Sequence, residues 1–257
     1  MKQTLHPTLR NNAMAPFPAL LFLVAVLIPS CPAYVYEDQD VGSLSTHLPE
    51  IQEEIVGKHN ELRKSVSPSA SNMLKMRWSS AASKNAQKWA ENCNYAHSMS
   101  SFRRTNMSCG ENLYMSSHLP TWSNAIQSWY DEVHDFTFGE GPKEPFAIVG
   151  HYTQIVWYSS FLIGCGVAYC PENSLKYFMV CHYCPAGNYL NRYYVPYDEG
   201  EPCARCPDHC DDGLCTNSCG YEDQYSNCPV LAKTATCNHL VVKAKCQATC
   251  KCQGKIY

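Results

Sequence analysis

Four ionisable side chains sit among aromatic residues or glycines: His97 in Cys93-Asn94-Tyr95-Ala96-His97, Glu111 in Cys109-Gly110-Glu111-Asn112, Glu132 in Trp129-Tyr130-Asp131-Glu132, and His151 in Gly150-His151-Tyr152. Two neutral imidazoles suit a borderline cation such as Zn²⁺, and two carboxylates can complete its shell or orient a water. A hydrolase on this plan would use metal-activated water with Glu111 or Glu132 as general base. It would also need an oxyanion stabiliser and a substrate-positioning rim, which the sequence does not identify. There is no HExxH helix, no G-x-S-x-G elbow and no organic-cofactor motif. A binding role asks less: a divalent ion holds the cleft in one shape and a partner reads it. The least specific reading is that the four tie helices to a sheet through hydrogen bonds.

Elements that could position these groups follow from periodicity. Ile51, Ile55 and Leu62, with Glu53, Glu54 and Lys58 between them, predict a helix over Pro49–Lys64. Ser79 or Ser80 would cap a second helix with Ala82, Ala86, Trp89 and Cys93 on one face. A third, from Thr121 to Asp135, sets Trp122, Ala125, Ile126, Trp129 and Val133 on another. At ~100° per residue, Glu132 lies about 80° from the centre of that stripe, where a carboxylate can face a cleft. Beyond Gly150, Ile155–Trp157, Gly164–Tyr169 and Leu175–Tyr183 read as strands, with a turn at Pro171-Glu172-Asn173. Helices first and a meander later predict an α+β domain with helices covering an antiparallel sheet.

Ten of the seventeen cysteines lie between Cys203 and Cys252, spaced C-x2-C-x3-C-x4-C-x3-C-x8-C-x8-C-x8-C-x3-C-x-C. A segment that short cannot bury enough apolar surface to hold itself without staples. It reads as a cross-linked knot that matures where thiols oxidise. Cys181-x2-Cys184-x18-Cys203-x2-Cys206 also fits a zinc-ribbon template; behind an export signal, oxidation is the stronger reading. That signal is residues 1–33: Lys2 and Arg10, an apolar run from Phe17 to Ile28, then Cys31-Pro32-Ala33 with cleavage after Ala33. Met14 opens a more compact version of the same signal. Nothing after it is long and apolar enough for a bilayer-spanning helix. Removing Cys31 leaves sixteen cysteines, six in the middle and ten at the end, with their pairing open.

Charge excludes one class of partner. Residues 34–202 carry 12 Lys+Arg against 18 Asp+Glu, and residues 203–257 carry 6 against 5, far from the basic excess of a nucleic-acid binder. Asn106-Met107-Ser108 is the sole N-x-S/T sequon, which in a secreted chain predicts a glycan on a surface loop.

Two longer motifs carry a resemblance. Gly150-His151-Tyr152-Thr153-Gln154-Ile155-Val156-Trp157 and Cys181-His182-Tyr183-Cys184-Pro185-Ala186-Gly187-Asn188 resemble the two signatures of the CAP superfamily, which holds the cysteine-rich secretory proteins, antigen 5 and plant pathogenesis-related proteins. The ten-cysteine tail narrows this to the cysteine-rich secretory proteins, especially the mammalian reproductive-tract and salivary branch. The likeness extends through Glu54–Arg63, Asn72–Met76 and Cys109–Met115, so it covers essentially the whole mature chain. The departures are the extension before Met14 and Gly57 where Asn is usual. The resemblance implies a signal (1–33), an N-terminal segment (34–50), an α-β-α sandwich with its linker (51–202), a hinge (203–218) and a helical knot (219–257) similar to sea-anemone potassium-channel toxins. It implies a cleft where His97, Glu111, Glu132 and His151 converge. It implies the pairs Cys93–Cys170, Cys109–Cys184, Cys165–Cys181, Cys203–Cys210, Cys206–Cys215, Cys219–Cys252, Cys228–Cys246 and Cys237–Cys250.

By the same resemblance the expected role is that of a secreted binding protein without catalysis. Its partners would be ion channels, or cell-surface and extracellular proteins in reproduction or innate defence. Zn²⁺ or another divalent cation is the expected cofactor. A metal-dependent hydrolase is the alternative, and a sterol or lipid carrier, known in other CAP proteins, a further one. Channel blockers of this size often present a Lys beside an aromatic. Tyr221, Tyr225, Lys233, Lys243, Lys245 and Lys251 supply those residue types, and the sequence does not pair them. It leaves oligomeric state open.

Overall fold

The computed structural model describes residues 41–257; the expected signal peptide, its cleavage point and the alternative start at Met14 lie outside them. Helix α1 (Pro49–Lys64) carries Pro49 in its first turn, a position that forfeits no hydrogen bond. Strand β1 (Arg77–Trp78) leads into α2 (Ser80–Ala90), where Ser79 accepts from the Ala82 N–H as N-cap. β2 (Gly110–Ser116) precedes α3 (Trp122–Tyr130), whose N-cap Thr121 accepts from the Asn124 N–H. Glu54 of α1 also accepts from the Ser123 N–H at 2.9 Å, placing a carboxylate at the positive end of α3. A two-strand ribbon, β3 (Phe136–Thr137) with β4 (Gly141–Pro142), comes before α4 (Gly150–Ile155), then β5 (Leu162–Tyr169) and β6 (Tyr177–Cys184).

The main sheet runs β1-β5-β6-β2, parallel at β1–β5 and antiparallel elsewhere. Both faces are covered, so all eight residues of β6 are buried. On one face Ile163, Cys165, Val167, Met179, Cys181 and Tyr183 meet Ile55, Ile126, Trp129, Tyr152 and Ile155 of α1, α3 and α4. On the other, Phe178, Val180 and Ala168 meet Ala86 and Ala90 of α2. The domain is thus an α-β-α sandwich. α2 lies against bare backbone: a Cβ at Gly164 would fall 2.2 Å from the Ser83 nitrogen, and one at Gly166 2.3 Å from the Gln87 Cα. No side chain fits there.

Two expectations need correction. Ile155–Trp157 is not a strand. Ile155 ends α4 and Val156 caps it, because Val149, Tyr152 and Ile155 recur at helical spacing and all bury inward. The chain beyond is held by Arg63 of α1, which is buried and donates to the carbonyls of Leu74, Ile155, Trp157, Tyr158 and Ser160. The third helix is also shorter than expected: Asp131–Asp135 is a 3₁₀ turn, so Glu132 sits on a tighter helix than the 100° spacing assumed.

After residue 202 the pattern changes. A hinge with the ribbon β7 (Cys210–Asp211) and β8 (Leu214–Cys215) docks through the Lys75 N–H, which donates to the Cys215 carbonyl at 2.8 Å, and through ion pairs Lys64–Asp212 and Lys75–Asp211. Three short helices follow: α5 (Cys228–Ala235), α6 (Leu240–Lys245) and α7 (Gln247–Lys251). The buried apolar groups of residues 219–257 are sulfurs plus Val242, Ala248 and Ile256. Glu222 secures this module to the sandwich, accepting from the Ser108 N–H at 2.8 and 2.9 Å. The bridges are Cys93–Cys170, Cys109–Cys184 and Cys165–Cys181 in the sandwich, Cys203–Cys210 and Cys206–Cys215 in the hinge, and Cys219–Cys252, Cys228–Cys246 and Cys237–Cys250 in the helical part.

Candidate functional site

β2 is an edge strand, and strand alternation sends its neighbours to opposite faces. Glu111 shares a face with Leu113 and its partner His182, while Asn112 reaches Tyr183 on the other. A cleft of ≈ 410 Å³ straddles this edge, with His97, Glu111, Asn112, Gly150, His151 and Asn188 among its lining residues. Phe146 and Ile148 form an exposed apolar lip.

The four sequence candidates arrive as two His–Glu pairs. Glu111 Oε1 accepts from His97 Nδ1 at 2.8 Å and from the Ser98 N–H at 2.9 Å. Its Oε2 accepts from Ser98 Oγ at 2.7 Å and from His182 Nε2 at 3.0 Å. Burial alone would push the Glu111 carboxyl up, but the hydrogen bonds from His182, His97 and Ser98 override it and hold it well below the usual carboxylate range. Glu132 Oε1 accepts from His151 Nδ1 at 2.5 Å, and Oε2 from the His151 and Tyr152 N–H groups at 2.9 and 3.0 Å. The His151 ring stacks on Trp129, whose indole N–H donates to the Leu113 carbonyl of β2 at 2.9 Å.

The donor chemistry fits a cation held by nitrogen. An ionised carboxylate only accepts, so the Nδ1 of each ring must carry the proton, and each neutral ring keeps its lone pair on Nε2. His97 is more than half exposed and His151 about a quarter. His97 and His151 would therefore hold the ion. Glu111 and Glu132, which accept from the Nδ1 of the two rings, would then fix their orientation. Glu132 does not line the cleft; it reaches it through His151.

His182, Asn188 and Ser98 were missed as site residues. His182 is fully buried, and burial pushes its imidazole down despite the Glu111 carboxylate. A His in a strand buried on both faces must find a polar partner, and that was the available signal. Asn106 lies on an exposed loop before β2. The zinc-ribbon reading fails: Cys181 and Cys184 bond to Cys165 and Cys109. The Cys203, Cys206 and Cys215 sulfurs lie within 4.8 Å of one another, but all are in disulfides and offer no thiolate. A larger concavity of ≈ 980 Å³, lined by Tyr158, Tyr189, Tyr221, Tyr225, Glu222 and Tyr257 among others, contains neither His–Glu pair.

Residues 56–183 match the family model described as CAP, cysteine-rich secretory protein family, and residues 203–257 match the model named Crisp. The chain is 61% identical to cysteine-rich secretory protein 3 of Homo sapiens, over 95% of this chain and 100% of that one. It is 50% identical to cysteine-rich venom protein VAR11 of Varanus varius, over 92% and 97%. Among solved structures, that of NaASP2 with Zn²⁺ superposes with TM-score 0.54 at 30% identity, covering 66% of this chain and 96% of that one.

Proposed function

The chain belongs to the cysteine-rich secretory protein family, and from that premise we propose that it is a secreted binding protein without catalysis, whose sandwich carries a divalent-cation cleft at His97 and His151. One observation carries the reading: both carboxylates are engaged by neighbouring donors, Glu111 by His97, Ser98 and His182, and Glu132 by the His151 ring and two backbone N–H groups. Both are committed to neighbouring donors, and the depressed carboxyl of Glu111 makes it a poor base. A metal-dependent hydrolase would need one of them. What remains is two imidazole nitrogens aimed by hydrogen-bonded carboxylates, which is a binding geometry. When bound, the ion would supply fixed positive charge at the β2 edge, beside the lip of Phe146 and Ile148 where a partner could rest. The related NaASP2, whose structure is described with Zn²⁺, supports the choice of ion.

Thermal melts with Zn²⁺ test this. Added metal should raise Tm by mass action, and the shift should vanish in a His97→Ala, His151→Ala double variant and shrink on acidification, as protons compete for the same nitrogens. Steady turnover of a peptide or ester library by metal-loaded protein, abolished by Glu111→Gln or Glu132→Gln, would falsify the non-catalytic reading.

A second contact, with an ion channel or cell-surface protein, is favoured by the C-terminal module. Lys251 Nζ lies 4.0 Å from the Tyr221 ring centroid, both residues being exposed, so a Lys stands beside an aromatic, the pairing that channel blockers of this size often present. The intact protein should alter channel currents, and Lys251→Ala should abolish the effect. Undiminished currents in that variant would assign the contact elsewhere.

A further inference from the structure

We propose that Cys210 is a thiol-capture site: a small thiol forms a mixed disulfide with it, and the Cys206–Cys215 bridge takes over the Cys203 sulfur that is released. Three independent observations single out this bridge. Of the sixteen bridged cysteines Cys210 is the exposed one, the other fifteen being buried or half-buried, and exposed bridges are the ones open to exchange. Cys203–Cys210 also closes the shortest loop of the eight, with a sequence separation of 7 against 9 to 77 for the rest. On the loop-entropy model its opening costs the fold least. Lastly, Cys203 Sγ lies within 4.8 Å of both sulfurs of the adjoining Cys206–Cys215 bridge.

The chemistry is exchange, which consumes no oxidant. The thiolate of the incoming molecule attacks Cys210 Sγ; that S–S bond forms as Cys203–Cys210 breaks, and the electron pair leaves on Cys203. Access sets the direction, since Cys203 is buried and Cys210 is not. The Cys203 thiolate then attacks Cys206 Sγ, so that Cys203–Cys206 forms as Cys206–Cys215 breaks. Cys215 leaves as thiolate and takes up the proton that the incoming thiol gave up. Cys203-Ala204-Arg205-Cys206 has the C-x-x-C spacing at which two cysteines bridge. Cys215 is fully buried, where a neutral thiol sits as a small apolar group.

The hinge backbone keeps these sulfurs together once the first bond has opened. The Arg205 N–H donates to the Ser71 carbonyl at 3.0 Å and the Cys215 N–H to the Met73 carbonyl at 2.8 Å. In return the Lys75 N–H donates to the Cys215 carbonyl at 2.8 Å. All three bonds run to the sandwich and none depends on a disulfide. The released Cys203 sulfur is therefore left beside its next partner.

Mass-spectrometric peptide mapping of the intact native protein tests the proposal. The protein is equilibrated at neutral pH with free cysteine as the probe thiol, quenched in acid, and alkylated under denaturing conditions. Cysteinylation should be about 10-fold higher at Cys210 than at any other position, with a Cys203–Cys206 bridge and the alkyl group on Cys215. Cysteinylation that is absent from Cys210, or that favours another residue, overturns the capture. Alkylation confined to Cys203, or found on Cys206, overturns the take-over by the second bridge. Hydrogen exchange on the same sample separates capture from unfolding: the Lys75 amide, held by the Cys215 carbonyl, should stay protected. Loss of that protection in step with cysteinylation would show that the sulfurs exchange only in opened chain, and overturns the proposal.

Discussion

The sandwich and the C-terminal module reach stability by different routes. The sandwich packs both faces of a four-stranded sheet with large buried side chains such as Trp122, Tyr183, Phe178 and Ile55, and carries three disulfides. The module has five disulfides and three helices of five to eight residues, too short to persist on propensity alone. Burial organises the first, and covalent closure of short loops the second. The lesson is that a cleft needing fixed ring orientations sits in the region whose order comes from packing.

Reduction should separate the two regions most sharply. Each bridge contributes about 2–4 kcal/mol on the loop-entropy model, so reduced protein should lose amide protection throughout residues 203–257 while β5 and β6 keep theirs. Hydrogen exchange reads this out, and protection surviving in α5–α7 without sulfur bridges would sink the comparison.

Core truncation should rank next and in the opposite sense. Phe178→Ala removes a side chain buried between α2 and the sheet and should cost the sandwich about 3–5 kcal/mol in denaturant unfolding. Val242→Ala, the corresponding cut in the module, should cost about 1–2 kcal/mol. Equal losses would mean the module has a core of its own.

Acid offers a third test, confined to the sandwich. Burial pushes the His59 imidazole from 6.5 down to about 4, with the Ile55 carbonyl opposing and the Arg63 charge reinforcing the shift. Between those values the unfolded chain takes up a proton that the folded chain refuses. Stability present above pH 6.5 is therefore lost as pH falls toward 4, by on the order of 3 kcal/mol from this group. A His59→Gln variant should lose less than the parent over that window. An identical pH slope would remove His59 as the cause.

The smallest contrast is at helix ends. Thr121 caps α3 with its side chain, whereas Asn227 makes no side-chain cap at α5. Thr121→Ala should cost about 1 kcal/mol and Asn227→Ala nearly nothing, as measured by thermal unfolding.

Local signals made part of this legible in the sequence. The span of α1 followed from Ile51, Ile55 and Leu62, and the start of α2 was narrowed to Ser79 or Ser80, of which Ser79 is the cap, because each depends on neighbours within a turn or two. The α4 segment misled because Ile155, Val156 and Trp157 are as apolar as any strand, and the buried Arg63 guanidinium, more than ninety residues away, reveals where the Ile155 and Trp157 carbonyls go. His97, Glu111 and His151 stood out by their aromatic and glycine settings and by resemblance. His182 did not, since its role comes from the β2–β6 register that sets it opposite Glu111. Asn188 was hidden for a like reason: its bond to the Gly150 carbonyl beside the cleft shows only in three dimensions.

The two glycines of β5 decide where this scaffold can be remodelled. With Ser83 and Gln87 backbone already touching the strand, the slab beneath α2 accepts no added volume without prying the helix away. Anyone grafting a new recognition surface or enlarging a pocket would have to work from the α1 and α3 side, where bulk is carried by replaceable side chains rather than by the main chain itself.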